Sequence, residues 1–467
     1  MHYTIKITIL SFLLIGCFWT KNKVVPESER LTDFVNPFIG TGGHGHTYPG
    51  ATLPFGMMQL SPDTRLDGWD GCSGYHYSDS FIYGFSHTHL SGTGVSDYGD
   101  ILLMPVRDIE FNNGSNGEKG YRASFQHKNE NAKPGFYSVF LDDTNIKVEL
   151  SVSKRSGIHR YYFDNSENQN IILDLEHRDM LLDYKIEHID SHTIAGYRHS
   201  NAWATNQKLF YYIRFSHPIS STIYENEEKK KAAFIFENPK NTPVEIRIGI
   251  SAVDIKGAKQ NLNSEISNKT FEEIKKKATS EWQKELEKIQ VKTDNIAQKT
   301  TFYTALYHSM LAPNLFQDVD GRYRGMDLNI HRSVAFDYYT VFSLWDTYRA
   351  AHPLYTIIDQ KRTNDFINTL IAKYKEGGIL PIWDLASNYT GCMIGYHALP
   401  VIADAYLKGI QNYDVSLAFK AMLHSTTRDK LGLKEYKSRG YIPVEIESES
   451  VSKTLEYAYD DWTLAQM

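Results

Sequence analysis

GFYSVFLDDTNIKVELSV, residues 135–152, decides the fold of the first half of the chain. Two runs within it, Gly135–Leu141 and Ile146–Val152, alternate β-branched and aromatic residues with polar ones, and Asp and Asn separate them. That is the pattern of half-buried strands. The same code continues outward in Asn170–Leu175, Lys208–Phe215 and Val244–Ile250, broken repeatedly by Asn, Asp, Gly and Pro. Short alternating strands with frequent turn residues predict an antiparallel β-sandwich over residues 31–260. ENEEKKK, 225–231, fits a solvated hairpin better than a binding patch.

Near Asn261 the code changes. In Phe271–Val291, charged residues surround Ile274, Trp282, Leu286 and Ile289 at helical spacing, which predicts a linker helix within 261–296. Beyond Ala297 helices are expected over Lys299–Leu311, Val341–Ile358, Asp365–Tyr374, Met393–Gly409, Val415–Leu423 and Val451–Met467, with Trp, Asp and His in the loops. Paired helices with polar, aromatic loops suggest an α/α toroid over 297–467, of which about half is present. The last helix carries an apolar stripe of Leu455, Ala458, Trp462 and Ala465, with no glycine cap or basic last turn to close it. The expectation is therefore a C-terminally truncated fragment that exposes faces meant for further helices.

The N-terminus predicts export. A short basic start precedes ITILSFLLIG, residues 7–16, which suits a signal-peptide core and is too short to span a bilayer. Leu14-Ile15-Gly16-Cys17 resembles a bacterial lipobox, so residues 1–17 read as a lipoprotein signal with Cys17 as the lipid-attachment site, and 18–30 as a tether. The expected location is the periplasm or the outer membrane and cell surface, with membrane contact through the lipid anchor alone. A net charge of −6 on 467 residues gives no basis for nucleic-acid binding. Besides Cys17 the chain has only Cys72 and Cys392, too few for a disulfide framework. Aromatics at 13%, with 31 tyrosines, suit stacking against sugar rings.

Candidate binding chemistry concentrates in Val35–Asp100, where five histidines, tyrosines, aspartates and many glycines replace aliphatic periodicity. Glycine lets backbone approach a ligand, and Trp, Tyr, His and Asp supply flat faces and hydrogen bonds. Such a surface grips a polar ring such as a sugar. The pairs His44/His46 and His87/His89 could share a strand face and bind zinc, but no further Cys or HExxH helix supports that. Hydrogen-bonding roles fit them better.

VNPFIGTGGHGHTYPGATLPFGMMQLSPDT (35–64), CSGYHYSD (72–79), GFSHTHLSGTG (84–94), YHSMLAPN (307–314), YTVFSLWDTYRAAHPL (339–354), GGILPIWDLASNYTGCMIGYHALPVIADAY (377–406) and SVSKTLEYAYDDW (450–462) together resemble glycoside hydrolase family 92. Its members are calcium-dependent exo-α-mannosidases of bacteria. The resemblance implies an N-terminal β-sandwich joined to an (α/α)6 barrel, with the mannose pocket between them. It further implies inverting release of terminal mannose, α-1,2-linked for this chain, from N-glycans or mannans. On this resemblance Asp346 in LWDT holds hydroxyls of the terminal mannose, and Trp69 reaches into the same pocket from the sandwich. Trp345, Tyr75, His76 and His397 complete the expected substrate-binding set. A carboxylate can accept two vicinal hydroxyls, and an indole offers apolar area with one donor; a helix cap is the alternative for Asp346, and adjacent Trp345 favours the sugar role.

The family's acid, base and calcium-ligand motifs do not occur before Met467. Although Glu456 and Asp460 share a helix face, they read as scaffold, as does Asp461, and no catalytic or metal-binding residue is assigned within this chain. The fragment itself is expected to be inactive. Two other functions compete: a non-catalytic surface glycan-binding lipoprotein, and a peptide:N-glycanase-like amidase, against which the helical domain argues.

Overall fold

Two antiparallel sheets follow from the strand code. In one, nine strands run in the order Met180–Asp190, Thr193–Asn201, Gln207–Phe215, Val244–Ser251, Ser156–Phe163, Ile146–Val152, Phe136–Leu141, Ala123–Lys133 and Phe81–Ile82. The other has seven, in the order Ala51–Thr52, Gln59–Asp63, Gly84–Ser86, Leu102–Val106, Gln169–Asp174, Lys231–Phe236 and Ile219–Tyr224. Phe215 of the first sheet packs on Phe234 and Phe236 of the second, with ring centroids 5.5 and 5.1 Å apart, so the sheets face one another across a shared core. The 135–152 segment forms a hairpin in which Val139 opposes Val148. The charged run at 225–231 turns between Ile219–Tyr224 and Lys231–Phe236, which pair antiparallel, as the hairpin reading requires.

This computed structural model describes residues 29–467; the expected signal sequence, Cys17 and the tether up to residue 28 lie outside the described residues. Leu31–Met467 forms one compact unit.

Ten helices follow the sandwich among the described residues: α1 Ile255–Glu265, α2 Phe271–Leu286, α3 Ile296–His308, α4 Leu344–Thr347, α5 Ala351–Ile358, α6 Gln360–Gly377, α7 Ala398–Leu407, α8 Val415–Thr427, α9 Leu433–Arg439 and α10 Ser450–Leu464. The helical portion thus begins at Ile255, earlier than the sequence code suggested. Asp254 caps it by accepting a 2.6 Å bond from the Gly257 amide. α1 lies on the outer face of the nine-stranded sheet, where Ala258, Leu262 and Ile266 bury against Phe136, Ile158 and Tyr212. The contact needs Gly249, since a Cβ there would sit 2.2 Å from the Ala258 carbonyl. α2 opens with a Thr270–Glu273 capping box and buries Phe271, Ile274, Ala278, Trp282 and Leu286. The Trp282 indole N–H donates to the Thr52 carbonyl at 2.7 Å, fastening the helix to the sandwich.

Two expectations need correction. Val341–Ile358 is not one helix: Val341 has φ +64, Phe342–Ser343 pairs as a strand with Trp383–Asp384, and only then do α4 and α5 form. Pro353 in the first turn of α5 marks a new helix start. Met393 is not helical either; α7 starts at Ala398 because Gly391, Met393 and Gly395 all adopt positive φ. The apolar stripe of α10 lies on the exposed side, with Leu455 and Trp462 66% and 59% exposed, while Lys453, Tyr457, Asp460 and Thr463 turn inward.

Candidate active site

The loops of the sandwich and of the helical portion meet around a cavity of about 400 Å³, a volume suited to a small ligand. Its walls are His44, Gly45, His46, Trp69, Gly92, Thr93, Gly94 and Trp203 from the sandwich side, and Ser343, Asp346, Trp383 and Met393 from the helical side.

Trp69 projects from a short 3-10 turn, Trp69–Gly71, and is 58% exposed. The His46 ring meets it edge-on with centroids 4.2 Å apart, and His44 lies 5.2 Å away. His46 Nδ1 is 2.8 Å from the Thr93 carbonyl and therefore carries the hydrogen. His44 Nδ1 is 2.7 Å from Asp70, and that bond holds the Asp70 carboxyl below its usual range. Gly94 completes the mount, because a Cβ there would stand 2.9 Å from the Trp69 indole nitrogen.

On the opposite wall a donor chain orients Asp346. The Trp383 indole N–H donates to Ser343 Oγ at 2.7 Å, and the Ser343 hydroxyl donates to Asp346 Oδ2 at 2.5 Å. Asp346 itself is exposed in α4 and lines the cavity, and its second oxygen has no protein partner among the described bonds. Trp383 is anchored through its neighbour: Asp384 is fully buried against Lys373 Nζ at 2.8 Å and Thr340 Oγ1 at 2.9 Å. Asp384 is thus a structural carboxylate. Trp203 crosses Trp383 edge-on at 5.9 Å. Asp97 fixes the Trp203 turn by accepting the Trp203 and Ala204 amides at 3.2 and 2.9 Å. Asn388 then bridges the two halves, accepting the Asn206 amide at 3.0 Å.

The structure brings Trp69 and Asp346 into one cavity and places the remaining sequence candidates elsewhere. Trp345 is half-buried beneath the Arg349 guanidinium, 5.4 Å above its ring, and does not line the cavity. Tyr75 is buried and donates to Glu130 at 3.0 Å. His76 spends both ring nitrogens, on Ser78 Oγ at 2.8 Å and the Gly43 carbonyl at 3.1 Å. His397 is enclosed, stacked on Tyr348 at 4.1 Å, with Nδ1 2.8 Å from Asp460 and Nε2 3.1 Å from Glu456. Glu456 and Asp460 therefore meet on an internal histidine.

Of the two histidine pairs, only His44 and His46 border the cavity, and on a loop, not a strand. His87 and His159 face each other at 2.9 Å, and burial depresses both, His87 to about 4. The Ile101 carbonyl fixes the hydrogen on His87 Nδ1, so His159 donates and His87 accepts between them. His89 bonds Asp63, whose buried carboxyl is held low because His89 and His177 outweigh the cost of burial. Among the described residues, no three His, Cys, Asp or Glu side chains are grouped to hold a metal ion.

Trp203, Ser343, Trp383 and Met393 were not singled out from sequence. The available signal was tryptophan inside polar, helix-breaking text, as in HSNAWATN and PIWDLASNY.

A sandwich joined to helices, with a Trp- and Asp-lined cavity where they meet, has the makings of a site for a polar ring. Residues 34–251 match the glycosyl hydrolase family 92 N-terminal domain, and residues 257–467 match the glycosyl hydrolase family 92 catalytic domain. The chain belongs to this family. It is similar to the structure of the family GH92 α-mannosidase BT3965 from Bacteroides thetaiotaomicron, with 38% identity, a TM-score of 0.90, and coverage of 94% of this chain and 62% of that one. The same mannosidase in complex with mannoimidazole aligns with a TM-score of 0.89 at 38% identity, covering 94% of this chain and 61% of that one. The inverting mannosidase BT2199 of the same organism aligns at 29% identity with a TM-score of 0.85, covering 94% of this chain and 62% of that one. An uncharacterized secreted glycosidase of Arthroderma benhamiae is 25% identical over 97% of this chain and 61% of its own length. The chain thus spans about three-fifths of the length of these relatives.

Proposed function

We propose that the protein is an exo-acting α-mannosidase that removes terminal, α-1,2-linked mannose from N-glycans or mannans with inversion. Similarity to an α-mannosidase solved with mannoimidazole supports the sugar, and similarity to an inverting mannosidase supports the stereochemistry. The observation that carries the reading is the convergence of Trp69 and Asp346 on one cavity. In this reading Asp346 accepts two neighbouring hydroxyls of the terminal mannose. Ser343 and Trp383 hold its carboxylate in place, so little side-chain freedom is lost on binding. Trp69 and Trp203 offer indole faces to the C–H face of the ring.

Inverting hydrolysis needs an acid and a base roughly 6.5–9.5 Å apart. Among the described cavity residues Asp346 is the acidic one, and in this reading its part is to bind the sugar. Calcium is carried by the family alone. Among the described residues no three His, Cys, Asp or Glu side chains are grouped to hold the ion. Export as a lipoprotein anchored at Cys17 is part of the same proposal.

The test is mannose release from α-1,2-, α-1,3- and α-1,4-linked mannobiose by the complete reading frame, with calcium and with EDTA. Calcium-dependent release, fastest on the α-1,2 linkage, is expected. Binding without cleavage would instead support a glycan-binding lipoprotein, the reading favoured by a cavity with one acidic side chain.

A further inference from the structure

The segment Thr390–His397 holds a cavity-lining methionine in the left-handed region of the backbone. Gly391, Met393 and Gly395 have φ of +67, +67 and +77, alternating along the loop. For glycine this is unstrained, but methionine in the left-handed region is costly and persists only where the surroundings impose it. They do so at both ends. Thr390 Oγ1 donates to the Trp383 carbonyl at 3.0 Å, and the Cys392 amide donates back to Thr390 Oγ1 at 3.3 Å. At the other end Asp460, buried in α10, takes the Tyr396 amide at 2.7 Å and His397 Nδ1 at 2.8 Å. The Tyr396 hydroxyl donates to Asp461 at 2.7 Å, and its ring stacks on Tyr457 at 4.7 Å. The result is one side chain held out: Met393 is 41% exposed and lines the cavity. It is also the one aliphatic side chain among the lining residues, which are otherwise glycine, aromatic or polar.

We infer that Met393 is a specificity-determining residue, displayed by this braced loop to contact a C–H face of the bound mannoside. The inference rests on the mannoside reading given above. A thioether packs closely on an apolar sugar face and adapts to its contour. It offers no strong donor or acceptor, so a sugar that turns a hydroxyl toward it leaves that hydroxyl desolvated and unpaired. Met393 would therefore favour the epimer that presents carbon at this wall. Holding the loop in a left-handed conformation sacrifices local stability for a defined side-chain position.

That compromise makes the test two-sided. Met393→Gly removes the wall and relieves the strain. Met393→Asn keeps a side chain that tolerates the left-handed region but makes the wall polar. Binding of methyl α-mannoside and methyl α-glucoside to each protein would be measured by calorimetry, with a thermal melt alongside. Both variants are expected to melt at or above the wild-type temperature and to bind methyl α-mannoside about tenfold more weakly, as loss of one apolar contact implies. The preference for mannoside over glucoside should shrink in both. If the wild-type protein binds the mannoside and both variants bind it equally well with unchanged preference, the assignment of Met393 is overturned. A loss of binding that tracks a lowered melting temperature in both variants also overturns it, because that is a structural role. A wild-type protein that binds neither sugar refutes the mannoside reading itself.

Discussion

Ser343→Ala isolates the donor chain behind Asp346. The hydroxyl has two jobs: it donates to Asp346 Oδ2 at 2.5 Å and accepts the Trp383 indole N–H at 2.7 Å. Trp383 is only 2% exposed, so the substitution leaves a largely buried donor without its partner, at a cost of about 1–3 kcal/mol. Asp346 is exposed and can turn to solvent, so its part of the loss appears in binding and not in folding. Freed to rotate, its carboxylate must be re-ordered by the sugar. A hydrogen bond to a charged group contributes about 1.5–3 kcal/mol, so mannoside affinity should fall by about ten- to a hundredfold. The assay is calorimetric titration with methyl α-mannoside together with a denaturation curve, on Ser343→Ala, Trp383→Phe and the double variant. Since Trp383→Phe already removes the donor, adding Ser343→Ala to it should destabilise by less than Ser343→Ala does alone. Strict additivity in stability, or unchanged mannoside affinity in Ser343→Ala, would refute the relay.

Other expectations follow from the same geometry. Gly94→Ala places a Cβ 2.9 Å from the Trp69 indole nitrogen and should weaken mannoside binding while leaving the melting temperature nearly unchanged, since Trp69 is largely exposed; an unaltered titration would contradict the placement of Trp69. Lys373→Met leaves Asp384 as a fully buried, uncompensated carboxylate and should destabilise by about 3–5 kcal/mol, read from denaturant midpoints. Acid should destabilise the fold well above the carboxylate range. Burial holds His87, His308 and His352 near pKa 4, against about 6.5 when unfolded, so the unfolded chain binds more protons between these values. Stability is therefore lost as pH falls through 6.5 and the loss is complete below about 4, amounting to roughly 3 kcal/mol per histidine. Denaturant midpoints that do not move between pH 7 and 5 would count against this.

The legible part of the fold was the part with simple periodicity. Alternating runs such as Ile146–Val152 mark strands because one face is buried, and the stripe through Ile274, Trp282 and Leu286 marks α2 for the same reason. Where polar contacts set the geometry, periodicity misleads. Val341 and Met393 sit inside text that reads as helix, yet positive φ breaks it at both, and both breaks lie beside the cavity. Trp69 and Asp346 were accessible through motif resemblance. Trp203 and Trp383 were not, since their partnership is formed by Asp97, Asn388 and Asp384, residues far apart in the chain. His397 illustrates the converse: a histidine in polar loop text that the fold turns inward onto two carboxylates.

The most direct test of the central claim is mannose binding at the Trp69–Asp346 cavity. Methyl α-mannoside would be titrated calorimetrically into the wild-type protein and into Asp346→Ala, which is exposed and should melt normally. The account predicts saturable binding to the wild type and a loss of at least about a hundredfold in Asp346→Ala, because a carboxylate accepting two hydroxyls is removed. Equal affinity in the two proteins, at equal melting temperature, would contradict it and move the sugar site out of this cavity.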